Sequence, residues 1–237
     1  MEDFAAAEKA IQLDPLLAEA HAALGLVHAR DGQWNQAEKS FRHAIELDRN
    51  RSRTYTDYGY WLLAVLGRLD EALEQLHAAE KADPLAHEVR QLLATVLISD
   101  GRYDEAADCC LKLPADNTFK SQFLARARFG QGRFGEALQL LTNDPHLPRN
   151  PQGRGFLGYT YARSGRREEA EKMAAASNYA NEQVLIFAGL GDKDRTFEAL
   201  DRMTAQRIGL YLNYPELALL RGDPRLKTFR KKVGLPE

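Results

Sequence analysis

The stretch HAALGLVHARDGQWNQAEKSFRHAIELD, residues 21–48, decides the fold. Apolar residues stand three and four positions apart before Gly32 and again after it, so two amphipathic helices flank one glycine. A glycine there ends the first helix, because a left-handed backbone is easiest without a Cβ. Five residues on, Ala37 is small enough to let the two helices approach closely. Four further on, Phe41 is large enough to fill the space between this hairpin and the next. Asp48-Arg49 ends the second helix at the place where other copies carry Asp14-Pro15 and Asp83-Pro84, and proline cannot continue a helix.

The same grammar recurs along the chain. Glycines stand at Gly32, Gly67, Gly101, Gly132, Gly165 and Gly191, at gaps of 35, 34, 31, 33 and 26 residues. Each is followed after five residues by a small side chain: Ala37, Ala72, Ala106, Ala137, Ala170 and Thr196. Four residues later come Phe41, Leu76, Cys110, Leu141 and Leu200, with Ala174 the small exception. Ahead of the glycines stand Leu24-Gly25, Leu93-Ala94, Leu124-Ala125 and Leu157-Gly158. Recurrence at 31–35 residues, shortened to 26 at the last copy, marks a stack of helical hairpins.

This pattern resembles the tetratricopeptide repeat family, most clearly in residues 21–48 and in GFLGYTYARSGRREEAEKM (155–173). The resemblance covers about residues 1–204. It implies an all-α superhelix of stacked helix-turn-helix hairpins whose first helices line a concave groove. Three departures stand out. The repeat around Tyr58-Gly59 has one extra residue before Gly67; the 31- and 26-residue gaps require shortened helices or loops; and Arg128 and Arg154 replace the usual large aromatic residues.

The two ends differ from the middle. KAIQLDP (9–15) aligns with HAIELDR (43–49), so residues 1–15 form half a repeat, with Phe4, Ala7 and Ile11 expected to be left exposed. This suggests a fragment of a longer protein or an improvised cap, the fragment being favoured. The last repeat is AGLGDKDRTFEALDRM (188–203), and residues 205–237 are expected to form a capping pair of short helices. One runs from Pro215 to Gly222 and one from Asp223-Pro224 to Gly234. Residues 188–237 also resemble the C-terminal end of bacterial multidomain signalling chains and transcriptional regulators. Around Pro145, Pro148 and Pro151 the helical pattern breaks longest, so 143–152 is a flexible joint or a packed loop.

Composition narrows the function. The chain has 237 residues, 44% hydrophobic and 28% charged, with net charge −2. It lacks the basic excess of a dedicated nucleic-acid binder. Its charge is polarised: residues 1–100 carry 10 basic and 17 acidic side chains, residues 101–237 carry 22 and 17. Cys109 and Cys110 are adjacent and cannot build a disulfide framework, which suits a reducing, cytoplasmic setting. The longest apolar run, Tyr58–Gly67, falls far short of the ~20 residues of a membrane helix.

No chemistry emerges from the motifs. Gly130-Gly132-Gly135 and Gly153-Gly155-Gly158 match a dinucleotide-binding spacing, but neither follows a strand, and the acid expected about twenty residues on is missing. The six histidines show no zinc-binding spacing, and His21 and His28 occupy large packing positions. No nucleophile, base and orienting group fall together. The chain is therefore read as no enzyme, with no cofactor, metal or small-molecule substrate. Arg225, Lys227, Arg230, Lys231 and Lys232 form a basic tail, read as a solvated helix end rather than a phosphate-binding surface.

Projecting the repeat onto the concave side selects Arg53, Tyr60, Gln91, Gln122, Arg126, Phe129, Tyr159 and Arg163 as the partner-binding lining, with Thr95 and Gln152 beside them. About half are expected to be exposed. Arginines there suit carboxylates and aromatic rings serve as anchors, so the expected partner is a protein or peptide, an acidic one among the candidates, with self-association a further candidate. The Lys/Asn clamp of the family's chaperone-binding subclass is missing: the corresponding faces carry Ala22, Leu26, Asp57, Glu88 and Leu92. The runner-up reading is a regulatory or self-associating end of a larger bacterial regulator.

Overall fold

The six turn glycines all take the left-handed conformation, with φ between +72° and +82°. Around each, an antiparallel helix pair closes. A computed structural model describes residues 2–236. The hairpins are α2 (Ala18–Arg30) with α3 (Trp34–Leu47), α4 (Ser52–Tyr58) with α5 (Leu69–Ala82), and α6 (His87–Ser99) with α7 (Tyr103–Leu111). They continue with α8 (Lys120–Gly130) and α9 (Phe134–Thr142), α10 (Pro151–Arg163) and α11 (Arg167–Ala176), and α12 (Ala180–Leu190) and α13 (Lys193–Leu200). A single helix, α1 (Glu2–Leu13), packs on α2.

The repeat grammar works as side-chain size requires. Ala37, Ala72, Ala106, Ala137, Ala170 and Thr196 are fully buried, as are Phe41, Leu76, Cys110, Leu141 and Leu200. Close packing is tightest where α10 meets α12: a Cβ at Gly155 would lie 2.9 Å from the Glu182 backbone, and one at Gly158 would lie 2.6 Å from Ile186. The second glycine triplet is thus a helix-packing seam, and Gly132 of the first is a turn.

The departures have local solutions. After Tyr58, α4 continues as a π-helical stretch, Gly59–Ala64, in the repeat that carries the extra residue. A π turn absorbs one inserted residue without breaking the helix. Arg154 replaces an aromatic packing residue with an ion pair: its guanidinium reaches Glu182 at 2.6 Å and donates to the Pro148 carbonyl at 2.6 Å. In α1, Ala7 is buried and Phe4 meets the His28 ring edge-on, so the face expected to be bare rests on α2. The 143–152 stretch contains a 3-10 turn, Leu147–Arg149, with Leu147 buried. Asn150 caps α10 by accepting from the Gly153 amide, and it donates to Gln122.

Beyond α13 the chain does not simply stack on the last hairpin. It forms α14 (Ala205–Leu212), a 3-10 segment (Pro215–Leu220) and α15 (Pro224–Lys232). Helix α15 packs on α13 through Phe229 against Phe197, Arg225–Asp194 and Lys232–Asp201. The segment before it turns inward.

Candidate interaction groove

Residues 205–221 run across the first helices of the hairpins, along the face that the superhelix turns inward. Helix α14 packs against α2 and the π-helical end of α4, and the 3-10 segment packs against α12. At Gly209, an added Cβ would meet the Val65 carbonyl at 2.7 Å, so backbone rests on backbone there. The Asn213 amide donates to the Ala64 carbonyl at 2.8 Å. Farther on, the Trp34 indole donates to the Gly234 carbonyl at 2.5 Å and ties the residues after α15 to the start of α3.

The centre of this contact is ionic. Arg126, on α8, donates from Nε and Nη2 to the two Glu216 oxygens at 2.8 and 2.9 Å. Both side chains are buried, Arg126 to 2% exposure. Burial works against the arginine's charge, but the Glu216 charge and hydrogen bonds outweigh it and hold the guanidinium above its ordinary pKa. The Tyr214 ring covers it at 4.1 Å, and Gln152 donates to the Tyr214 hydroxyl at 3.2 Å. Burial raises the Tyr60 and Tyr211 phenols well above their usual range, so both stay neutral.

The eight lining residues selected from the sequence are thus not equivalent. Arg53 and Arg163 are exposed. Tyr60, Gln91, Phe129 and Tyr159 are half-buried. Gln122 and Arg126 are buried, so neither is an open groove residue; Arg126 donates to the chain's own Glu216, and Gln122 accepts from Asn150. Nor is Arg53 a free cation, since its guanidinium bonds the buried Asp57 at 2.9 Å. The repeat period places residues on the inward face but carries no information about a non-repeating segment that lies over them.

What remains open beside the ion pair is a pocket of about 290 Å³. Tyr103, Phe129, Phe134 and Tyr159 supply its rings, and Pro215 and Glu216 form one wall. Phe129 meets Phe134 and Tyr159 edge-on at 4.8 and 5.4 Å, and Phe134 is 51% exposed. The Tyr103 ring lies over bare backbone at Gly130, where a Cβ would come within 2.3 Å of it. Burial pushes the Tyr159 phenol up to about 12. Tyr103, Phe134, Tyr214 and Glu216 escaped the sequence reading. The available signal was the density of large apolar residues in LYLNYPELALL (210–220), too high for an exposed cap.

The repeat and its glycine turns match three models, each described as tetratricopeptide repeat, over residues 18–51, 61–118, and 123–141 with 151–176. Together these cover more than half of the chain. It belongs to the tetratricopeptide repeat family. No curated protein sequence matches it. Among solved structures, this tetratricopeptide repeat chain is similar to a tetratricopeptide repeat protein from Parabacteroides merdae (TM-score 0.69, 16% identity, 90% of this chain and 89% of that one). It is also similar to Pseudomonas aeruginosa PilF (0.58, 17%, 91% and 97%) and to MamA from Desulfovibrio magneticus (0.55, 17%, 66% and 90%). At these identities the likeness is one of fold.

Other chemistry is sparse. Among the described residues no three His, Cys, Asp or Glu side chains are grouped to hold a metal ion, and no helix is long and apolar enough to cross a membrane. The basic tail is engaged: Arg225 pairs with Asp223 and Asp194, Arg230 donates to the Pro236 carbonyl, and Lys232 pairs with Asp201.

Proposed function

We propose that this tetratricopeptide repeat chain is a non-catalytic scaffold that binds a peptide or protein partner in its concave groove. One observation carries the reading: the groove already holds polypeptide, with an arginine gripping a carboxylate and aromatic rings around it. That is the recognition chemistry expected for an acidic partner. The aromatic pocket beside Glu216, with exposed Arg163 one turn beyond Tyr159, is the part free to receive it. The unpaired Cys109 and Cys110 suit work in a reducing compartment such as the cytoplasm.

The test is crosslinking mass spectrometry in the source cells with a Tyr159→Ala/Arg163→Glu variant whose helicity matches wild type. Loss of a crosslinked partner is expected. Retention of every partner would remove the groove from the account. Arg126 is unsuited to this test, because its loss strands a buried carboxylate.

The polarised charge favours a second reading, a self-associating end of a larger bacterial regulator. Light scattering would then show association that weakens with salt. A monomer at every concentration and salt would exclude it.

A further inference from the structure

We infer that residues 205–221 are an internal ligand of the groove, and that the partner which replaces them is a peptide bearing an aromatic residue two positions before a carboxylate. The inference rests on the groove reading above and deepens it by giving the partner's chemistry. The template is the chain's own Tyr214-Pro215-Glu216: ring over guanidinium, carboxylate in a two-point grip.

Three observations separate this segment from an ordinary part of the repeat fold. First, it crosses the inward helices of several hairpins, as a bound peptide would, and adds no helix in repeat register. Second, it is bounded by turns, the link 201–204 and Gly222 at φ +76°, while α15 has its own anchors on α13. Displacing the segment with both ends held uncovers Ile208, Tyr211, Leu217 and Leu220, so a replacing partner must cover that apolar surface. Third, the fit is incomplete. Arg126 Nη1 and Gln122 Nε2, one helical turn apart on α8, are buried without a hydrogen-bond partner. Leaving buried donors unmet is costly. A peptide with a second acceptor placed to reach Arg126 Nη1 would meet a donor that Glu216 leaves unused.

The test uses the full chain and a fluorescent peptide, YLNYPELALLR (211–221). In an Asn213→Ala/Tyr214→Ala variant the internal segment is weakened while the receptor side chains stay intact. The peptide is expected to bind this variant at least tenfold more tightly than wild type, and to lose at least tenfold when its own Glu216 is changed to Ala. Equal affinity for the two proteins, no binding to a variant that remains helical, or indifference to the glutamate would overturn the inference. Should the variant not fold, hydrogen exchange on wild type decides. Amides of 205–221 exchanging at least tenfold faster than those of α8 and α10 support a separately opening segment, and exchange in step with them overturns it. Failure to capture any cellular partner with the opened variant would count against the scaffold reading and leave the internal occupancy standing.

Discussion

Arg126 and Glu216 stand ninety residues apart in sequence and share a two-point ion pair inside the superhelix. Removing one member should leave the other charged and buried. Arg126→Met or Glu216→Leu alone is expected to cost about 3–5 kcal/mol. The double change Arg126→Met/Glu216→Leu should cost far less than the sum, because no charge is stranded. Urea denaturation of the four proteins measures the cycle, and additive losses would mean that the two side chains do not act as a pair.

Two glycines should respond oppositely to alanine. At Gly155 the new methyl meets the Glu182 backbone at 2.9 Å, where neither helix can yield without moving the α10–α12 seam. Gly155→Ala is expected to destabilise by about 1–3 kcal/mol. Gly135 is exposed within α9 with nothing within 4 Å, so Gly135→Ala should stabilise by about 0.5–1 kcal/mol through helix propensity. Thermal melts of the two variants give the comparison.

Acid should weaken the first hairpins through Glu38. Hydrogen bonds from Arg68, with help from Arg42 and Tyr58, lower its pKa to about 2 in the folded chain against their opposition by burial. A depressed carboxylate contributes stability in full above its unfolded pKa and loses it as pH falls through the folded value. Glu38's share is therefore lost between about pH 4.5 and pH 2. Asp57 runs the other way: burial raises its pKa, so its ionisation opposes folding as pH increases. Glu38→Gln should flatten the acid limb of a stability–pH curve, and an unchanged limb would assign it to other carboxylates.

Neither cysteine should react readily in the folded protein. Burial pushes the Cys110 thiol up to about 12 and also raises Cys109, so little thiolate exists near neutral pH. A disulfide reagent at pH 8 should label Cys110 only as fast as the chain opens, and both thiols at once in guanidinium. Rapid native labelling of Cys110 would place its helix outside the packed core.

The repeat was legible because its signals are local and recur. A glycine that must be left-handed, an alanine that must be small and a bulky residue behind it are fixed by contacts within one hairpin or with the next. Hence Gly32, Ala37 and Phe41 were readable, and so were their counterparts up to Gly191 and Leu200. The inserted residue near Tyr58 was visible as a spacing error, although the π-helical form it takes was not. The candidate site was readable only by half. The repeat period placed Arg126 and Gln122 on the inward face and suggested what Arg126 recognises, a carboxylate, without identifying whose.

The sequence by itself determined the helical hairpins and the small and large residues that pack them, since helix period and residue size act over a few residues. Only the tertiary structure decided that residues 205–221 fold back into the groove, burying Tyr214 and Glu216 against Arg126 and drawing Gly234 to Trp34. That contact joins residues 90 to 200 positions apart and repeats nowhere. It depends on the curvature summed over the whole stack, and no local spacing encodes that curvature.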